Sequence, residues 1–195
     1  MSADKSDLEA IQDLSVMQRL DALELALCQP INALSRRPLV RAVFAAVSRL
    51  GDGPIWYLLM IAFPLALGMA GLALTLQMAF GGLLGLVTYK TLKHRLIRER
   101  PFASHPTILC AAAPLDRYSF PSGHTLHACL FGTLILSASP GLWPILLPFV
   151  GLIALSRVIL GLHYPSDVAM GALIGVMIAH LTQALLPLTA FAPAA

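Results

Sequence analysis

Residues 53–89, GPIWYLLMIAFPLALGMAGLALTLQMAFGGLLGLVTY, contain no charged side chain. A bilayer core of about 30 Å is crossed by roughly 20 helical residues. The run is nearly twice that length, so it reads as two helices folded into a hairpin. Gly68-Met69-Ala70-Gly71 supplies the turn, which predicts spans near residues 55–67 and 72–92. Trp56 and Tyr57 are expected to anchor the end of the first, shorter span at the membrane interface.

Working outward, residues 168–195 are also uncharged, and the pattern predicts three further helices. They fall near residues 124–137, 143–160 and 165–186. Ser137-Ala138-Ser139-Pro140-Gly141 separates the first two, and Pro165 marks a helix start because the first turn needs no amide donor there. The fold class is therefore all-α: a polytopic membrane helical bundle of about five transmembrane helices. Composition agrees. Mean hydropathy is +0.78, and only 12% of residues are charged, against about 25% in soluble proteins. The 195 residues suit one membrane domain, residues 51–190.

Residues 1–50 differ. Leu20, Leu23, Leu25 and Leu27 alternate with Asp21 and Glu24, and Arg36, Arg37, Arg41 and Arg49 interrupt the rest. This predicts an N-terminal amphipathic interfacial segment of two short helices, broken around Gln29-Pro30 and Arg37-Pro38. An additional short hairpin is the alternative. Residues 2–13 are polar and acidic, unlike a signal peptide. A net charge of +3, distributed in this way, points to membrane topology plus an anionic ligand and not to nucleic acid. Cys28, Cys110 and Cys129 have neither metal-ligand nor redox spacing and read as unpaired apolar thiols.

Three polar islands interrupt the apolar sequence: Lys93-x6-Arg100-Pro101, Pro121-Ser122-Gly123-His124, and Ser156-Arg157-x5-His163-x3-Asp167. The five-span topology brings all three to one end of the bundle. Lys93 and Arg100, seven apart, share a helix face. A lysine offers a compact charge and an arginine a planar fork for two oxyanion oxygens. Ser122 stands at a capping position, Gly123 permits close approach of a ligand, and the amides of the first helical turn bind anions. A charge such as Arg157 at the edge of a span is a functional candidate. Asp167, four residues after His163, is placed to fix its tautomer and leave the other ring nitrogen available. Lys90, Arg95 and Arg98 lie outside this pattern and read as ordinary interfacial charges, and His127 as a packing or interface histidine. His180 falls away from the site. Near the islands, Glu99, Asp116 and Asp167 form no acidic cluster suited to a metal ion.

In order and spacing, the islands resemble the signature of the type 2 phosphatidic acid phosphatase superfamily, matched without a substitution from Lys93 to Asp167. The resemblance implies that His163 is the nucleophile and forms a phosphohistidine, that Asp167 orients it, and that His124 protonates the leaving group. Lys93, Arg100, Ser122, Gly123 and Arg157 would hold the phosphoryl oxygens. It implies a phosphatase without metal or other cofactor, acting on a membrane lipid phosphate or diphosphate such as undecaprenyl diphosphate, phosphatidylglycerol phosphate or phosphatidic acid. By the same analogy the protein is expected in the bacterial inner membrane, with the site facing the periplasm. All 13 Lys and Arg residues would then lie on the site's side, against a literal positive-inside reading. A lipid phosphotransferase using the same site, a vanadate-dependent haloperoxidase and a non-enzymatic channel or transporter are the competing readings. The membrane scaffold argues against the haloperoxidase. The uncharged hairpin offers a channel little beyond Thr75, Gln77 and Thr88. Oligomeric state is left open by the sequence.

Overall fold

A computed structural model describes residues 16–187; the acidic stretch 2–13 and residues 188–190 of the expected membrane domain lie outside the described residues. Among the described residues all regular structure is helical. We number the helices α1 (Val16–Ala33), α2 (Pro38–Gly51), α3 (Pro54–Arg95), α4 (Pro101–Ser104), α5 (Gly123–Ala138), α6 (Trp143–Ile159) and α7 (Pro165–Leu185). By length and composition α3, α7 and the segment Pro140–Ile159 suffice to cross a membrane, and α5 is a shorter apolar helix.

The charge-free run folds as the expected hairpin within α3. Gly68 takes φ +59°, a backbone conformation that side chains disfavour. The two arms then run back along each other. The Thr75 hydroxyl donates to the Met60 carbonyl at 2.9 Å, and a Cβ on Gly71 would stand only 1.9 Å from the Phe63 carbonyl oxygen. Trp56 departs from expectation. It is buried at 1% exposure, donates to the Gly51 carbonyl at 2.9 Å and packs on Phe131, while its neighbour Tyr57 is exposed. Successive helical residues point about 100° apart, so only one of the pair can face the bilayer.

The centre of the bundle is α5, which packs against α3, α6 and α7. Leu126, Leu130, Leu134 and Ile135 of α5 meet Leu74 and Met78 of α3, Ile153 of α6 and Ile178 of α7 in one apolar core. Contact with α7 is close because Gly171 and Gly175 present bare backbone: a Cβ on Gly175 would lie 2.2 Å from the Leu126 carbonyl oxygen. The outward faces carry Leu58, Ile61, Leu83, Ile145, Leu173 and Met177, all exposed, as a lipid-facing surface requires.

At the N-terminal end α1 packs on α6 and α7, and α2 on α6 and α3. The chain breaks before Pro38 as expected, but α1 continues through Pro30. Proline removes one helical hydrogen bond, and distant contacts hold this last turn in place. Asn32 donates to the carbonyls of Leu109 and Ile159 and accepts from the Leu109 amide, and Gln29 donates to Thr107.

Candidate functional site

All three islands meet at one end of the bundle. Arg100 leads into α4, with its guanidinium buried at 2% exposure. Its Nη1 donates to the Leu162 carbonyl at 2.7 Å and lies 3.3 Å from His163 Nε2. His163 sits in the short turn between α6 and α7. That turn folds back onto α6, where the Arg157 carbonyl accepts from the amides of Leu162 and His163. Gly161, at φ +74°, makes the reversal possible; a Cβ there would meet the Leu109 carbonyl oxygen at 2.4 Å. The second island is tied to the third by the Ser122 amide, which donates to the Asp167 carbonyl at 3.0 Å. Ser122 is the residue preceding α5, as expected, although its hydroxyl pairs with Thr125 at 3.0 Å and caps no amide. Gly123 lies against the Tyr89 ring, which leaves no room for a Cβ there.

Asp167 is fully buried in the first turn of α7. Its Oδ2 accepts from the Tyr164 amide at 2.9 Å and stands 3.5 Å from His163 Nδ1. That separation is too long for a formed hydrogen bond, and Nδ1 is otherwise a buried nitrogen without a partner. The carboxylate thus faces Nδ1, and Nε2 points to the Arg100 side. Burial first, then the charges of Arg157, Arg100 and Lys93, hold the His163 imidazole well below its ordinary pKa. The ring is neutral at pH 7 and keeps a lone pair.

The cations are not idle. Asp116 enters from the loop after α4 and receives Lys93 Nζ at 2.6 Å, Arg100 Nη2 at 2.7 Å and the Tyr89 hydroxyl at 2.6 Å. Its backbone carbonyl takes Arg100 Nε at 3.0 Å. Burial alone would raise the Asp116 carboxyl; hydrogen bonds from Lys93 and Tyr89 outweigh it and hold the group at about 2. Arg157, 3% exposed, donates from Nη1 to the Ser48 hydroxyl of α2, while its Nε is buried without a partner. His124 Nε2 lies 3.1 Å from Asp52 Oδ1, in the turn between α2 and α3. Burial pushes the Asp52 carboxyl up, against the pull of Arg157 and His127.

Sequence reasoning missed Asp52 and underrated Asp116, because single acidic residues on loops carry no periodic signal. Arg98 requires a correction. It is no ordinary interfacial charge: Nη1 donates to Asp167 Oδ1 at 2.9 Å, Nη2 pairs with Glu24, and the guanidinium lies 4.0 Å from the centre of the Tyr164 ring. His127 bonds the Gly123 carbonyl at 2.9 Å and packs on Phe131; His180 is exposed and bonds only to Gln183 within its own helix. No group of three or more His, Cys, Asp or Glu side chains is assembled to hold a metal among the described residues.

A groove of about 520 Å³ opens beside this cluster. Its polar lining includes Asp52, Tyr89, Lys90, His124 and His127, and its apolar lining includes Met60, Met78, Leu83 and Phe131. Fold and groove together define a polytopic membrane protein that carries a buried cationic cluster where apolar helices end. Residues 66–188 match the PAP2 superfamily, and the chain belongs to it. Over 92 residues it is 35% identical to decaprenylphosphoryl-5-phosphoribose phosphatase of Mycobacterium tuberculosis, covering 47% of this chain and 50% of that protein. Over 113 residues it is 34% identical to undecaprenyl-diphosphatase of Sulfolobus acidocaldarius, covering 57% and 53%. The chain spans about half the length of these curated relatives. The crystal structure of Aquifex aeolicus LpxE superimposes with a TM-score of 0.72 at 28% identity, covering 88% of this chain and 97% of that one.

Proposed function

We propose that the protein hydrolyses a phosphate ester or diphosphate of a membrane lipid by transfer of the phosphoryl group through His163. The observation that carries this reading is the buried imidazole, with Nδ1 facing Asp167 and Nε2 3.3 Å from an arginine nitrogen. The Nε2 lone pair attacks phosphorus and the bond to the leaving oxygen breaks. That oxygen takes its proton from His124, which takes it up when the anionic substrate binds, with Asp52 3.1 Å from its Nε2. His124 then takes a proton from water, whose oxygen attacks the phosphohistidine and releases phosphate and neutral His163. Lys93, Arg100, Arg157, the Ser122 hydroxyl and the Gly123 amide hold the equatorial oxygens, where charge accumulates in the transition state. These cations do the work that metal ions do elsewhere, so the reaction needs no cofactor. The apolar groove suits a lipid tail that stays in the bilayer, and relatives named for polyprenyl phosphates support that class.

Purified protein in detergent, with excess chelator, is expected to release phosphate from at least one of undecaprenyl diphosphate, phosphatidylglycerol phosphate and phosphatidic acid. His163→Ala is expected to abolish both turnover and an acid-labile phosphoryl label on the chain. Chelator inhibition reversed by Mg²⁺ would sink the metal-free mechanism, and an unchanged label in His163→Ala would move the nucleophile elsewhere. We place the protein in the bacterial inner membrane with the site facing the periplasm. Cys110 is exposed, whereas Cys28 is buried. A membrane-impermeant maleimide should therefore label Cys110 in intact cells; labelling only after the inner membrane is opened reverses the orientation.

A further inference from the structure

We propose that Arg98 and Glu24 are positioning residues for the reaction: Glu24 fixes Arg98, and Arg98 fixes the carboxylate that orients His163. The assignment rests on the reading of His163 as nucleophile. Neither residue is a named position of the three islands, Arg98 being one of the six residues between Lys93 and Arg100, and Glu24 lies outside residues 66–188 that match the family.

The contacts form one chain. Asp167 is fully buried and has two oxygens to satisfy. Oδ2 takes the Tyr164 amide and faces His163 Nδ1. Oδ1 takes Arg98 Nη1 at 2.9 Å. A carboxylate held at both oxygens cannot rotate about its terminal bond, so the direction of Oδ2 toward the imidazole is fixed. The same Arg98 Nη1 also donates to the Ser166 hydroxyl at 2.7 Å, and the guanidinium lies over the Tyr164 ring. Its other nitrogen, Nη2, is gripped by Glu24, with Asp21 3.6 Å away. The second Glu24 oxygen accepts the Ser166 amide at 2.9 Å, an amide of the first turn of α7. Glu24 therefore touches both the arginine and the helix that carries Asp167. A buried carboxylate without a cation partner is costly, and Arg98 supplies that partner. In this way α1, which adds no group to the phosphate cradle, bears on the nucleophile.

The test uses the full chain in detergent with phosphatidic acid, phosphatidylglycerol phosphate and undecaprenyl diphosphate, reading kcat, KM and competitive inhibition by inorganic phosphate. Losing one charge-assisted hydrogen bond to Asp167 is expected to lower kcat of Arg98→Gln by about 10- to 100-fold. KM and the phosphate inhibition constant should stay within about twofold, because Lys93, Arg100 and Arg157 are untouched. Arg98→Lys should recover part of the loss. Glu24→Gln should give a smaller loss of kcat, and the double variant should be no worse than Arg98→Gln alone. An unchanged kcat in Arg98→Gln overturns the assignment. So does a parallel loss of phosphate affinity without rescue by lysine, which would mark a merely structural role. Additive losses in the double variant remove Glu24 from the chain. A wild-type protein inert on all three lipids would sink the phosphatase reading and this assignment together; an active wild type with an indifferent Arg98→Gln sinks the assignment alone.

Discussion

Replacing Asp116 with asparagine should tighten anion binding while weakening the fold. Its carboxylate spans Lys93 and Arg100 at 2.6 and 2.7 Å and takes the Tyr89 hydroxyl as well. These are the donors proposed to hold a phosphoryl group, so an incoming phosphate must take them from Asp116. Hydrogen bonds to charged groups contribute about 1.5–3 kcal/mol net. Asp116 is about a quarter exposed, which favours the lower part of that range. Asparagine keeps the shape and loses the charge, so the competition weakens by about 1.5–3 kcal/mol, or roughly 10- to 100-fold in the inhibition constant for inorganic phosphate. The same change leaves two buried cations, 8% and 2% exposed, without their shared counter-charge. Thermal stability without ligand should therefore fall, and saturating phosphate should restore more of it in the variant than in the wild type. Phosphate inhibition of turnover and unfolding scans with and without phosphate measure the two effects. An inhibition constant that is unchanged or weaker in Asp116→Asn would refute the reasoning: the phosphate would then be held without displacing the carboxylate.

Three further outcomes are expected. His124→Ala should lower the rate by about 10²–10⁴ on a monoester whose leaving group is an alkoxide and by less on a diphosphate, whose leaving monophosphate needs a proton less; equal losses on the two would assign His124 to binding. Because the folded protein holds His163 well below its ordinary value of 6.5, the unfolded chain binds a proton there that the folded one refuses. That share of stability is complete above about pH 6.5 and is lost as pH falls from there toward the folded value, so denaturation midpoints between pH 7 and 5 should fall less steeply in His163→Gln than in the wild type. Gly175→Ala forces a methyl group to 2.2 Å from the Leu126 carbonyl oxygen, and separating α5 from α7 should cost about 1–3 kcal/mol of stability in detergent.

The hairpin and the helices after it were legible because charge and apolar length report directly on what a bilayer tolerates. Pro140 and Pro165 marked boundaries for local steric reasons that no tertiary contact reversed. Pro30 misled for the opposite reason: the turn that should have broken is held through Asn32 by Leu109 and Ile159, and such distant partners leave no local trace. Trp56 and Tyr57 are equivalent in composition, and only packing against Phe131 decides which of them is core. His163 and Asp167 lie near each other as their spacing implies, but Lys93 and Arg100 do not share the expected helix face. Helix α3 ends at Arg95 and Arg100 is extended before Pro101, so Asp116 and not helical spacing joins the two cations. Asp116 sits on an irregular loop and Asp52 at a helix end, where spacing carries no geometry. Arg98 was hidden by its neighbours, since Lys90, Lys93, Arg95 and Arg100 make one more basic residue look like interfacial decoration.

A cluster of buried cations at the end of an apolar bundle poses a physical problem before any substrate arrives, because an uncompensated buried charge costs several kcal/mol. The chain meets it with acids drawn from separate elements. Asp116 neutralises Lys93 and Arg100, and Asp52 lies beside His124. On the far side of His163, Arg98 neutralises Asp167 and is itself held by Glu24. Compensation is incomplete at two atoms of the cluster, Arg157 Nε and His163 Nδ1, both buried without a hydrogen-bond partner. A buried donor left unpaired costs about 1–3 kcal/mol, and native proteins keep few of them. An oxyanion that bonds Arg157 and displaces Asp116 would satisfy the first. A proton on Nδ1, drawn into a full hydrogen bond with Asp167 as Nε2 bonds to phosphorus, would satisfy the second. On the proposed mechanism, both deficits of the resting site would be filled by the same event, the arrival and transfer of a phosphoryl group.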